Sequence, residues 1–149
     1  MHLPSYQLIE FSDNNFLLIN DLLEESTREG FQFIKRTIDD WNTRKNTFSA
    51  DGEKLFGIVA DMALIGIGGL NRDPYNGDPG TGRVRHLYIS RVHRRKGYAT
   101  LLMNTIIDKA REHYKKLRLF TDDPVASEFY YALGFQKSDA RKETHILGL

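Results

Sequence analysis

The chain has 149 residues, of which 40% are hydrophobic and 28% charged, and its 21 basic and 20 acidic side chains leave a net charge of +1. That is one domain of an ordinary soluble globule, long enough to bury roughly 70% of its unfolded surface. The balance argues against a dedicated nucleic-acid binder, and the absence of cysteine excludes disulfides, thiolate nucleophiles and cysteine-held metal.

Residues Tyr6 to Phe11 read as a first strand. No basic segment followed by an apolar run opens the chain, and no apolar run reaches the roughly 20 residues of a membrane span, so a cytoplasmic protein is expected. Ser12-Asp13-Asn14 is a helix N-cap cluster. Phe16, Ile19, Leu22 and Leu23 follow at helical spacing as far as about Arg28, where Gly30 breaks the helix. Phe31, Ile34, Ile38 and Trp41 line one face of a second helix. Phe31, Phe33 and Trp41 are expected to pack that helix onto a sheet.

Lys54 to Val59 and Met62 to Leu70 read as a hairpin. Gly66, Gly68 and Gly69 weaken the second of these strands, which implies a bulge or a close approach by a neighbour. Asn71 to Gly82, dense in Pro, Gly, Asp and Asn, reads as a surface loop. In the next strand, Val84 to Ile89, the apolar alternation fails unless a bulge shifts it partway along.

A basic turn, Arg94-Arg95-Lys96-Gly97-Tyr98-Ala99, then opens a helix whose stripe is Ala99, Leu102, Met103, Ile106, Ala110 and Tyr114. Strand, turn and helix start together make an anion seat. The first N–H groups of a helix lack intrahelical partners, its dipole is positive there, and Gly97 lets the backbone approach a ligand. Leu117 to Thr121 completes a βαβ-like unit with parallel pairing and a right-handed crossover. Asp123 caps a helix with Pro124 near its first position, and Gly134 ends it. Phe135 to Lys137 and Thr144 to Leu147 are the last strands, joined by a charged turn. His2, His93, His113 and His145 show no ligand-like spacing, so no metal is assigned.

Neither a P-loop nor a G-x-G-x-x-G fingerprint is present. Two motifs in order carry more weight. Arg94-x-x-Gly97-x-Ala99 follows the strand ending Leu87-Tyr88-Ile89. About thirty residues on stands Ala126-x-x-Phe129-Tyr130-x-x-x-Gly134-Phe135. The pair resembles the GNAT superfamily of N-acetyltransferases, whose signature is (Gln/Arg)-x-x-Gly-x-(Gly/Ala) and whose C-terminal helix ends in Tyr-x-x-x-Gly-Phe. Element order matches along essentially the whole chain.

The resemblance implies a single α/β domain over residues 1–149, with a mixed twisted sheet of six to seven strands and about four helices on its two faces. It implies acetyl-CoA as co-substrate. The pyrophosphate would lie on backbone N–H groups of Arg94, Arg95, Lys96, Gly97, Tyr98, Ala99 and Thr100. The pantetheine arm would pair with the backbone of Leu87, Tyr88 and Ile89. Tyr130 would be the general acid for the departing thiolate. The family often has Asn where this chain has Asp123, a position that contacts the cofactor arm, and often has Pro where Arg91 stands. Its members often dimerise, and their first two helices often border the acceptor site.

The reaction expected is direct acetyl transfer to a small-molecule or peptide amine in a ternary complex, since no cysteine can carry the acyl group. Many members use a strand Glu as general base, but Arg83 to Ile89 holds no carboxylate. His86 is the one group there whose ordinary pKa, about 6.5, suits a base. The missing carboxylate leaves a second reading, a non-catalytic acyl-CoA-binding regulatory module. A nucleic-acid binder built on the basic turn is a third. No membrane or nucleic-acid partner is expected.

Overall fold

In a computed structural model, residues 5–149 are described. His2, and the first residues of the segment read for a leader, lie outside them. Seven strands form one mixed sheet in the order β1-β2-β3-β4-β5-β7-β6. They are β1 (Gln7–Glu10), β2 (Lys54–Ala60), β3 (Ala63–Arg72), β4 (Thr81–Ile89), β5 (Lys116–Leu119), β6 (Gln136–Lys137) and β7 (His145–Gly148). The helices are α1 (Asn20–Arg28), α2 (Phe33–Asn42), α3 (Tyr98–Arg111) and α4 (Pro124–Ala132).

Two apolar cores lie on opposite faces of the sheet. One holds the α3 stripe, with Leu102, Met103, Ile106 and Ala110 fully buried against β2–β5 and α4. The other holds Ile19, Leu22, Ile34 and Trp41 against β2–β4. Trp41 stacks on Phe16 at 4.2 Å between ring centres, so its expected packing role holds.

The first helix departs from its expected start. Asp13 caps nothing, because its carboxylate accepts from Trp41 Nε1 at 2.9 Å and from Arg44 at 2.8 Å. Ser12 N–H donates instead to Asn15 Oδ1, and the chain enters α1 through a 3-10 turn, Phe16–Ile19. Tertiary partners drew the capping carboxylate away. The segment 71–82 also holds more strand than its composition implied, since β3 runs on to Arg72 and β4 begins at Thr81.

The glycines of β3 mark both a bulge and close approaches. The β3–β4 register slips between Ile67 and Gly69. An added Cβ would stand 2.8 Å from Ile89 Cδ1 at Gly66 and 2.7 Å from Phe48 Cε1 at Gly69.

The feature that positions the site is a split in the sheet. β4 and β5 pair in parallel over three residues only, Thr81↔Lys116 to Arg83↔Arg118. Beyond Arg83 they part, and β4 continues to Ile89 with no partner strand on that side among the described residues. A buried ion cluster sits where they part. Arg118 Nε lies 2.7 Å from Asp73 Oδ2 and its Nη1 2.8 Å from Glu143 Oε1. Arg83 Nη1 is 3.5 Å from the same Asp73 oxygen, and its Nη2 donates to Lys142 O at 2.6 Å. Two guanidiniums and two carboxylates balance, so the group can be buried.

Candidate active site

The split opens into a cleft of ≈ 460 Å³, walled by β4 from Arg83 to Tyr88, by Leu119 to Asp123 beyond β5, and by Tyr130 of α4. Ser90 N–H donates to Ile65 O at 2.7 Å, toward β3. Alternation along a strand therefore turns the N–H and C=O of Ile89, and of Leu87, toward the open side. There Arg94 Nε takes the Ile89 C=O, and the Ile89 N–H and both Leu87 groups are left to the cleft. Free backbone groups on one wall are what an extended amide-bearing arm needs for pairing.

The bulge opposite Gly68 falls at His86, whose φ is +60°. It resolves the broken alternation of this strand. Val84, Leu87 and Ile89 face α3, and Tyr88 faces α1 and α2. The imidazole of His86 stacks on Phe33 of α2, 5.7 Å between centres and 14° from parallel. Burial, then the charges of Arg85 and Arg36, push its pKa down to about 3. His86 is therefore a neutral ring near pH 7 and a weak proton acceptor.

At the far end of β4 the chain turns through Arg91–His93 into the basic turn. Arg95 and Gly97 both take left-handed backbone, φ +61° and +96°. These two residues curl the turn so that successive amides face the same way. The N–H groups of Arg95 to Thr100 meet no acceptor among the described residues. That of Arg94 makes a long contact, 3.4 Å, to Arg91 O. A cavity of ≈ 250 Å³ lies over them, bordered by Gly97, Ala99, Thr100, Ile89 and Phe129.

Arg94 borders that cavity as well, but its side-chain nitrogens are engaged elsewhere. Its Nε donates to Ile89 O at 2.9 Å, its Nη1 to Glu29 Oε2 at 2.9 Å, and its carbon head lies 5.2 Å from the centre of the Tyr88 ring. Arg95 and Lys96 are exposed at the rim. Tyr98 is buried beneath the turn and offers its backbone alone.

Tyr130 is 93% buried, packed edge-on to Phe129 and Phe135, and lines the cleft. Burial alone pushes its pKa upward, so the hydroxyl keeps its proton. Asp123 stands at the cleft mouth and caps α4, accepting from Val125 N–H at 3.0 Å. One of its oxygens is thereby engaged by the helix, as the sequence reading of a cap requires.

Sequence reasoning did not single out Arg36 and Arg85 on the cleft wall. Phe31 lies ahead of α2, not within it, and is exposed. With Phe33 and Arg36 it walls the cleft, while Phe33 also packs against the core beneath α2 as expected. Arg85 lines the same space. The break at Gly30 was the available signal that Phe31 begins no helix. Among the described residues no cluster of His, Asp and Glu has metal-site geometry, and no helix is long and apolar enough to cross a membrane.

The site thus joins a split sheet, a turn of free backbone N–H groups and a buried tyrosine on the cleft wall. Comparison with known proteins gives the family. Residues 17–135 match the model of the acetyltransferase (GNAT) family, and the chain belongs to that family. An Exiguobacterium sp. 255-15 protein assigned as an acetyltransferase superposes with a TM-score of 0.84 at 30% identity, over 97% of this chain and 94% of that one. Two structures share the fold at lower identity. A GNAT-family acetyltransferase of Staphylococcus aureus Mu50 has a TM-score of 0.73 at 14% identity, over 95% and 96% of the two chains. A GCN5-related N-acetyltransferase of Kribbella flavida has 0.72 at 16%, over 97% and 98%.

Proposed function

We propose that the protein transfers an acetyl group from acetyl-CoA directly to an amine. The observation that carries this reading is the pairing of the β4–β5 split with the run of free N–H groups from Arg95 to Thr100. An arm of amides fits the first, and a pyrophosphate fits the second. Bound there, acetyl-CoA supplies an activated acyl group as a thioester.

The chain's own residues do the rest. The cleft holds the amine and the acyl carbon together, and proximity of this kind is worth several kcal/mol of barrier, up to ~7–11 for well-oriented reactants. Ile89 N–H, turned to the open side, donates to the carbonyl oxygen as negative charge develops on it. The C–N bond forms and the C–S bond breaks. Tyr130 O–H gives its proton to the departing sulfur and takes one back from solvent through the open cleft, and its raised pKa keeps it protonated before the transfer. His86 is too weakly basic to hold the amine proton near pH 7, so that proton leaves to solvent through the open cleft.

The test is CoA release from acetyl-CoA with a panel of primary amines. Release that depends on the amine supports transfer. Tight acetyl-CoA binding without release on any amine would instead identify an acyl-CoA-binding regulatory module.

A further inference from the structure

The cleft's charges are unevenly matched. Four cationic or titrating groups of β4 and α2 line it: Arg83, Arg85, His86 and Arg36. Arg83 is matched by Asp73 and by Lys142 O, and His86 is neutral. Arg36 and Arg85 make no ion pair among the described residues, unlike Arg83, Arg94 and Arg118 nearby. Asp122 and Asp123 stand across the cleft, and Asp123 is engaged as the α4 cap. Arg85 also borders a second cavity with Asp40 and Glu53. Lys45 and Arg72 share that cavity, so three cations there face two carboxylates.

These two guanidiniums do not serve the cofactor's pyrophosphate. They neighbour His86, three strand residues before Ile89 and on the order of 10 Å up the strand from the turn. Arg36 stands on α2 and Arg85 shares cavities with Phe33, Arg36 and Asp40 of α2, while the free N–H groups open α3. Beside them are the rings of Phe31 and Phe33, one exposed and one half-buried. Phe33 and Arg36, three apart on α2, project from one helix face.

We propose that the acceptor amine carries an oxyanion, a carboxylate or a phosphate, which Arg36 and Arg85 hold while Phe31 and Phe33 cover its apolar body. A guanidinium's planar fork matches either group with paired hydrogen bonds. The protein's near-zero net charge conceals this local field. The inference rests on the acetyl-transfer reading above.

Matched probes test it. CoA release is measured with acetyl-CoA and phenylalanine against 2-phenylethylamine, and with phosphoethanolamine against ethanolamine. The anionic member of at least one pair is expected to show about tenfold or greater kcat/KM, and the pair that does so tells carboxylate from phosphate. Arg36→Gln and Arg85→Gln should each erase most of that ratio, chiefly through KM. Neutral amines used equally well or better, or a preference that survives both substitutions, would overturn the inference and leave the transferase reading intact. If neither these probes nor the wider amine panel releases CoA, the transferase reading fails. Calorimetric binding of the same four probes to the CoA-loaded protein then decides the anion question by the same comparison.

Discussion

Arg94 reaches back across the sheet to Glu29, with its Nη1 2.9 Å from Glu29 Oε2. The first residue of the cofactor signature thus spends its charge on the segment that follows α1. Glu29 also accepts from the Tyr88 hydroxyl, and Glu25 accepts from Tyr88 and from Arg91 N–H. The basic turn is thereby fastened to the C-terminal end of α1, next to the segment that walls the cleft. Arg94 holds the Glu29 carboxyl below the usual carboxylate range, followed by the Tyr88 hydroxyl among the favourable contacts.

Loosening this fastening should be felt at the cofactor. Partly exposed ion pairs are worth about 1 kcal/mol, or roughly a factor of five. Glu29→Gln is expected to weaken acetyl-CoA binding by about that factor, read by calorimetry, with secondary structure unchanged by circular dichroism. Unaltered affinity would show that the pair only trims the surface.

Gly97→Glu should remove acetyl-CoA binding. At φ +96° a side chain is strained, and this one adds negative charge beside the free N–H groups. Strain of about 1–2 kcal/mol plus repulsion predicts a loss of roughly 100-fold or more. Retained affinity in a folded variant would place the anion seat elsewhere.

Tyr130→Phe keeps the ring against Phe129 and Phe135 and deletes the proton donor. We expect kcat to fall about 100-fold while the acetyl-CoA dissociation constant stays within a factor of two or so. An unchanged kcat would make Tyr130 a packing residue.

His86 predicts a pH effect on stability. Its pKa is pushed down to about 3 in the fold, against about 6.5 unfolded. Between those values the unfolded chain binds more protons, so stability is full above about pH 6.5 and falls as pH falls toward 3. His145, also depressed by burial, acts with the same sign. The loss is on the order of a few kcal/mol, and His86→Asn should flatten it in urea titrations at pH 7 and pH 4.5. Asn tolerates the left-handed backbone at this position. The same low pKa predicts no inflection from His86 in the pH–rate profile between pH 5 and 9. An inflection there that His86→Asn removes would restore it as the base.

Most of the fold was legible because its signals are local. The α3 stripe, Asp123 before Pro124, and Gly134 each specify an element without help from distant chain. The bulge in β4 was legible as a fault in alternation, though not its position at His86. What was hidden depends on contacts across the fold. Asp13 looks like a cap until Trp41 and Arg44 take its oxygens. Nothing local announces that the Arg94 side chain pairs with Glu29, 65 residues away. Arg36 and Arg85 look like solvated charges until the bulge and α2 bring them to one cleft. The anion seat survived in the sequence because it is made of backbone, and Gly97 with the helix start is enough to announce it.

The cluster of Asp73, Arg83, Arg118 and Glu143 gives the split a floor. A crack in a laminate runs until it meets a rivet, and here the rivet is ionic and dry, with Arg118 and Asp73 all but sealed from water. Its position at the third β4–β5 pair fixes how many strand residues remain unzipped above it, and so how deep a wedge-shaped guest can slide. Depth, in turn, decides which carbon of that guest comes level with Ile89 and Tyr130. These four side chains therefore act as the depth gauge of the cleft.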